Sequence, residues 1–143
     1  MRGYAAIGMW NAKTPANVGS ALRAAFNFQA AMIVVSGQRY HGSITDVHRT
    51  ARHIPLIQVD DLHAAIPFDC VPVAVELIED ARSLCGYVHP ERAFYVFGPE
   101  DGTLGKAVLS WCRDVVYIPT HHCLNLGTCV GVVLYDRLAK TIP

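Results

Sequence analysis

The sequence predicts an α/β fold, a mostly parallel sheet flanked by helices. Short apolar runs alternate along the chain with segments of helical period. Gly, Pro, Asn and Asp gather where those runs end. Apolar residues make up 52% of the 143 and charged residues 17%, enough to build a packed core and too little charge for wholesale disorder.

The elements follow in order. Tyr4–Trp10 reads as a strand, and Lys13-Thr14-Pro15 as the turn after it. Asn17 is a candidate N-cap for a helix reaching about Gln29. Val18, Ala21, Leu22, Ala25 and Phe26 form one stripe along that helix. Ala31–Ser36 reads as a buried strand, Asp46–His53 as a short helix and Leu56–Val59 as a strand. Asp60 or Asp61 is expected to cap a helix that ends before Pro67. Val71–Ile78 is the next strand, and Glu79–Pro90 is polar and irregular. Ala93–Phe97 is a strand of aromatic and β-branched character, followed by the tight loop Gly98–Gly102. Thr103–Cys112 reads as a helix, Val115–Ile118 as a strand and about Gly127–Lys140 as the last helix. No repeat, low-complexity tract or linker breaks the series, so residues 1–143 are expected to form a single domain.

Twelve basic residues balance twelve acidic ones, which excludes a cationic coat as the route to nucleic acid but not a local basic patch. The five cysteines are odd in number and form no C-x-x-C pair. That speaks against a zinc ribbon, a thioredoxin motif and a complete disulfide framework. The N-terminal apolar run soon meets Asn11 and Lys13, a poor signal peptide. Val115–Tyr135 carries no charged residue, but Pro119, Thr120, His121, His122, Asn125, Gly127 and Thr128 interrupt it. It reads as a buried strand, a polar loop and a packed helix rather than a membrane span, and the expected setting is the cytoplasm.

Ligands of open α/β sheets gather beyond the carboxyl ends of strands, and three loops there carry unusual residues. The first is Asn17-Val18-Gly19-Ser20-Ala21-Leu22-Arg23, in which Gly19, Arg23 and Asn27 share a helix face away from the centre of the apolar stripe. Taken alone, it reads first as a capped helix with a surface arginine. The second, Phe97 to Gly105, is rich in Gly and lacks both the G-K-[ST] ending and the G-x-G-x-x-G fingerprint. Its glycines allow main chain to approach a flat ligand, or the loop is a plain strand-to-helix turn with Asp101 or Thr103 as cap. The third, Ile118 to Gly127, crowds polar groups between two apolar segments. His121, His122 and Cys123 are adjacent, and adjacent residues rarely converge on one ion, so no metal is expected. Gly127 and Gly131 lie four apart, a hint of close helix packing.

Each loop alone is a weak signal. Their order and spacing together resemble the SpoU/TrmH class of SPOUT RNA ribose methyltransferases: N-x-G-x-x-x-R early, F-G-P-E-x-G-x-L late, then I-P-x-x-x-x-L-N-x-G before the last helix. The likeness spans about residues 4–140 and is to the minimal members, without an appended RNA-binding domain. It implies a SPOUT fold with a deep C-terminal trefoil knot, which general topology rules would have rejected. It also implies S-adenosyl-L-methionine as cofactor, an RNA substrate, with tRNA favoured over rRNA, and a homodimer. Under the resemblance, Arg23, Asn17 and Asn125 are the catalytic group. Phe97, Gly98, Glu100, Gly102, Ile118, Leu124 and Leu126 hold the cofactor. Family members often carry Ser where Cys123 stands, and differ at Gly127 and Cys129. The reaction implied is attack of a ribose 2′-hydroxyl on a sulfonium methyl. Arginine stays protonated in proteins, so Arg23 is expected to grip phosphate and stabilise the developing oxyanion rather than act as a base. Arg23, Arg39, Arg49 and Arg52 are the RNA-contact candidates. The last three, with His41 and His48, read either as phosphate contacts or as a solvated face. A non-catalytic RNA-binding homologue is the competing reading, and the retained Asn17, Arg23, Glu100 and Asn125 speak against it.

Overall fold

The computed structural model describes residues 3–37 and 53–141. The elements are β1 (Tyr4–Trp10), α1 (Pro15–Asn27), β2 (Ile33–Ser36), β3 (Leu56–Val59), β4 (Val71–Val75), β5 (Arg82–Ser83), β6 (Arg92–Phe97), α2 (Gly105–Leu109), β7 (Asp114–Tyr117) and α3 (Leu126–Thr141). Single 3-10 turns occupy His63–Ala65 and Leu84–Gly86. The strands form one sheet in the order β3-β2-β1-β6-β4-β7-β5, and every pairing is parallel. The expected α/β class is therefore what the chain builds.

Strand residues alternate between two cores. Ile7, Met9, Ile33, Val35, Val73, Tyr95, Phe97 and Val116 face α1 and α3. Ala6, Val34, Ala74, Phe94 and Val96 face Leu62, Leu104 and Val108 on the other side. Both faces of the central strands β1, β2 and β6 are covered, which is why these read as continuous apolar runs. Each fully buried large side chain contributes about 1.5–3 kcal/mol. α1 and α3 pack against each other: a Cβ added at Gly127 would lie 2.6 Å from Ser20 Cβ, and one at Gly131 would lie 3.9 Å from Ala24 Cβ. The close packing hinted at by Gly127 and Gly131 is real, and no larger residue fits at Gly127 without separating the helices.

Several boundaries differ from expectation, each for a local reason. Thr14, not Asn17, is the N-cap of α1, and Pro15 takes the first helical position, where its missing N–H costs nothing. Asn17 lies inside the first turn, so its amide is free for other work. Phe26 leaves the apolar stripe; it is 42% exposed and meets the His53 ring at 5.1 Å. β2 starts at Ile33 rather than Ala31. The helix expected after Asp60 or Asp61 is only the His63–Ala65 turn, with Asp61 accepting from His63 N–H at 3.1 Å. Ile66 is already extended, as its place before Pro67 requires. β4 stops at Val75 because Leu77 N–H bonds to the Glu76 carboxylate at 3.2 Å and leaves the strand ladder. The polar stretch 79–90 still contains the two-residue β5. α2 is shorter than Thr103–Cys112 and has no side-chain cap, so neither Asp101 nor Thr103 serves. β7 runs one residue earlier than Val115–Ile118, and α3 begins at Leu126 and ends at Thr141. The expected helix Asp46–His53 lies, save for His53, outside the described residues.

β7 lies between β4 and β5, although the short connection 76–81 joins those two strands directly. β7 is thus inserted between two strands that are consecutive along the chain. Among the described residues no helix is long and apolar enough to cross a membrane.

A buried polar network ties α3 to the segment before β6. His89, with a 1% exposed side chain, contacts Asp136 through Nε2 and the Tyr95 hydroxyl through Nδ1, both at 2.7 Å. Burial lowers the His89 pKa, and the opposing pull of Asp136 is outweighed. A base with a folded pKa below its unfolded one makes stability rise with pH through that window. Folding stability is thus expected to fall as the pH drops below about 6.5. His89→Asn should flatten that slope in urea titrations across this range; an unchanged slope would assign the acid sensitivity elsewhere.

Candidate functional site

Because all strands run the same way, their carboxyl ends share one edge. Met9 pairs with Phe97, Phe97 with Val75 and Val75 with Val116, so β1, β6, β4 and β7 end in one row. Beyond that row the chain forms a cleft of about 430 Å³, within the usual ~300–1,000 Å³ of small-molecule sites. Its walls are 75–77 after β4, 97–102 after β6 and 117–126 after β7, with Asn17 and Cys129 from the two helices.

All seven sequence-predicted cofactor residues, Phe97, Gly98, Glu100, Gly102, Ile118, Leu124 and Leu126, line this cleft, as do Asn17 and Asn125. A chain of side-chain amides joins the three motifs. Asn125 accepts from Gly127 N–H at 2.9 Å, holding the start of α3, and donates from Nδ2 to Asn17 Oδ1 at 3.2 Å. Asn17 Nδ2 in turn donates to Glu100 Oε1 at 2.8 Å. The first turn of α1 contains no acidic residue of its own, so Glu100 is the carboxylate brought to a helix start that favours negative charge. Gly98 is needed here for space: a Cβ would stand 3.3 Å from Leu104 N. Cys129 Sγ contacts Leu124 O at 3.7 Å, and burial, with Cys123 adding, raises the Cys129 thiol pKa, so it stays protonated and unreactive at neutral pH.

Arg23 stands apart from the cleft lining. It is exposed on α1, on the same helix as Asn17 but further along. Arg39, Arg49 and Arg52, with His41 and His48, lie outside the described residues. Sequence reasoning missed Glu76, Tyr117, His121, His122 and Cys129 as cleft residues. Glu76 was detectable as the one carboxylate inside the apolar run Val71–Ile78. The described residues contain no group of three His, Cys, Asp or Glu placed to hold a metal.

No curated protein sequence matches the chain. Solved structures match in fold. The SpoU methyltransferase AviRb from Streptomyces viridochromogenes in complex with AdoMet superposes with a TM-score of 0.82 at 18% identity, over 98% of this chain and 61% of that one. AdoMet-bound rRNA methyltransferase from Sinorhizobium meliloti gives 0.83 at 16% identity, over 100% and 59%. A structure described as giving insight into the 2-OH methylation of C/U34 on tRNA gives 0.81 at 23% identity, over 96% of both chains. The chain thus spans about three-fifths of the first two and nearly all of the third. The profile of the SpoU rRNA Methylase family matches residues 5–135, so the chain belongs to that family.

Proposed function

We propose that this chain transfers a methyl group from S-adenosyl-L-methionine to a ribose 2′-hydroxyl of RNA, with tRNA the favoured substrate. The observation that carries the reading is the Asn125–Asn17–Glu100 chain: it joins the three family motifs at the edge of the one cleft that all seven predicted cofactor residues line. The tRNA preference rests on the relative of equal length, whose description concerns tRNA.

The cleft suits the cofactor. It has the volume, a glycine wall at Gly98 and an apolar floor from Val75, Phe97 and Leu126. Phe97, Gly98, Glu100, Gly102, Ile118, Leu124 and Leu126 would hold it. When bound, S-adenosylmethionine supplies an electrophilic sulfonium methyl. Asn17 and Asn125 keep the cleft edge in shape through their mutual bond, and Arg23 grips the phosphate beside the target ribose and stabilises the oxyanion. Alignment of the two reacting atoms contributes several kcal/mol. Arg39, Arg49 and Arg52 extend the phosphate contacts. The insertion of β7 between β4 and β5 is taken as the mark of the deep trefoil knot, and residues 1–143 as one methyltransferase domain. A homodimer would cover Tyr135, 61% exposed on α3, and Phe26 on α1. All five cysteines are free, the state a reducing cytoplasm keeps.

The test is transfer of labelled methyl from S-adenosylmethionine to total tRNA and, separately, to rRNA, with the product mapped by nuclease digestion. A 2′-O-methyl nucleotide in tRNA is expected. Labelled rRNA alone would change the substrate; cofactor binding without transfer to either RNA would favour the non-catalytic RNA-binding reading.

A further inference from the structure

We propose that the Glu76 carboxylate makes the cleft select the cationic sulfonium cofactor over its neutral thioether product; this rests on the methyltransferase reading. Among the described residues the cleft wall contains two carboxylates, Glu76 and Glu100, and no lysine or arginine. Such a wall is matched to a ligand with positive charge. Glu100 is exposed and already accepts from Asn17. Glu76 is different. It is half-buried at the end of β4, between β6 and β7.

Its position is fixed from three sides. The Glu76 main-chain N–H donates to Val116 O at 2.9 Å, which pins it to β7. Its Oε2 accepts from Leu104 N–H at 3.0 Å, reaching across to the loop after β6. Its Oε1 accepts from Leu77 N–H at 3.2 Å. One residue thus touches the strand or loop behind each of the three cleft walls. A carboxylate accepts about four hydrogen bonds, and two here come from main chain, so acceptor capacity remains on the cleft side. None of the ion pairs among the described residues involves Glu76. Among the described residues its charge is met by the N–H groups of Leu77 and Leu104 and by no cation. Glu76 is the one carboxylate in the run Val71–Ile78, and it stands on the cleft wall.

The chemistry gives this charge a use. In methyl transfer the S–CH3 bond breaks, its electron pair stays on sulfur, the methyl joins the ribose oxygen, and the hydroxyl proton leaves to solvent. Sulfur enters positive and leaves neutral. A fixed negative charge in the cleft therefore strengthens binding of the reactant relative to the product, so the spent thioether departs more readily. An attraction of this kind, part-screened by solvent, is worth about tenfold in affinity.

Calorimetry of the full chain tests this with three probes: S-adenosylmethionine, S-adenosylhomocysteine and a stable analogue with an ammonium centre in place of the sulfonium. The titrations are run at about pH 8, above the ordinary imidazole range. Glu76→Gln keeps an acceptor for Leu104 N–H and removes the charge. It is expected to weaken the two cationic ligands about tenfold and the thioether less than about twofold. Glu76→Asp, shorter but still charged, should keep the wild-type ratio even where all three affinities fall. Equal losses for all three ligands in Glu76→Gln would reduce Glu76 to a support of the wall and overturn the proposal, as would no loss at all. Failure of wild-type protein to bind any of the three would overturn the methyltransferase reading itself.

Discussion

Replacing Arg137 by methionine is expected to remove about 3–5 kcal/mol of folding stability. Arg137 is 1% exposed, the largest fully buried side chain among the described residues. Its guanidinium fork holds the chain before β6: Nη1 donates to Pro90 O at 2.6 Å and to the Tyr95 hydroxyl at 3.2 Å, and Nη2 donates to Glu91 O at 2.7 Å. Nε finds no partner. The cation has no acidic partner among its hydrogen bonds; carbonyls and its place in the last turns of α3 compensate it instead. Methionine is of similar length and fills much of the space, so the loss reports the bonds rather than a cavity. Pro90 O would then be buried without this donor, at about 1–3 kcal/mol. Lysine should also fail, because a single ammonium does not reproduce two forked nitrogens. Urea denaturation measures the change. A loss under about 1 kcal/mol for Arg137→Met would show that the site relaxes around the missing fork.

The same residue shows what the sequence makes legible and what it hides. Position 137 falls in a segment of helical period, and its helix was readable; its burial was not, since an arginine there looks like any polar face. Strands were readable because both-face burial gives unbroken apolar runs such as Tyr4–Trp10 and Ala93–Phe97. Their lateral order was not, because a sheet that places β6 beside β1 and β7 between β4 and β5 leaves no periodic trace. Asn17 was misread as a cap when Pro15 already marked the helix start one residue after Thr14. The error hid its contact with Glu100, 83 residues away. No spacing rule joins Asn17 to Asn125 either, across 108 residues. Those links came from the likeness of three motifs to a family, and the fold supplies the physical reason: parallel strands deliver all three loops to one edge.

Under the proposed function, Arg23→Lys is expected to lower methyl transfer to RNA by at least about 100-fold while leaving S-adenosylmethionine affinity within about twofold. The split follows from position. Arg23 is exposed on α1 and does not line the cleft, so the cofactor has no contact to lose. It lies on the same helix as Asn17, whose amide bonds Glu100 at the cleft edge, and the proposed function makes it the arginine offered to an RNA brought to that edge. A lysine keeps the charge and general attraction to phosphate, but not the planar fork that grips two oxygens at once. About 100-fold is near 2.7 kcal/mol, the scale of one lost donor to a developing oxyanion. Arg23→Ala should fall further, since the charge goes as well. Calorimetry with the cofactor and single-turnover transfer to RNA measure the two halves separately. Near-wild-type transfer by Arg23→Lys would exclude a bidentate guanidinium role and leave only a diffuse charge. A parallel loss of cofactor binding would instead mean that α1 itself had shifted, carrying Asn17 away from Glu100 and Asn125.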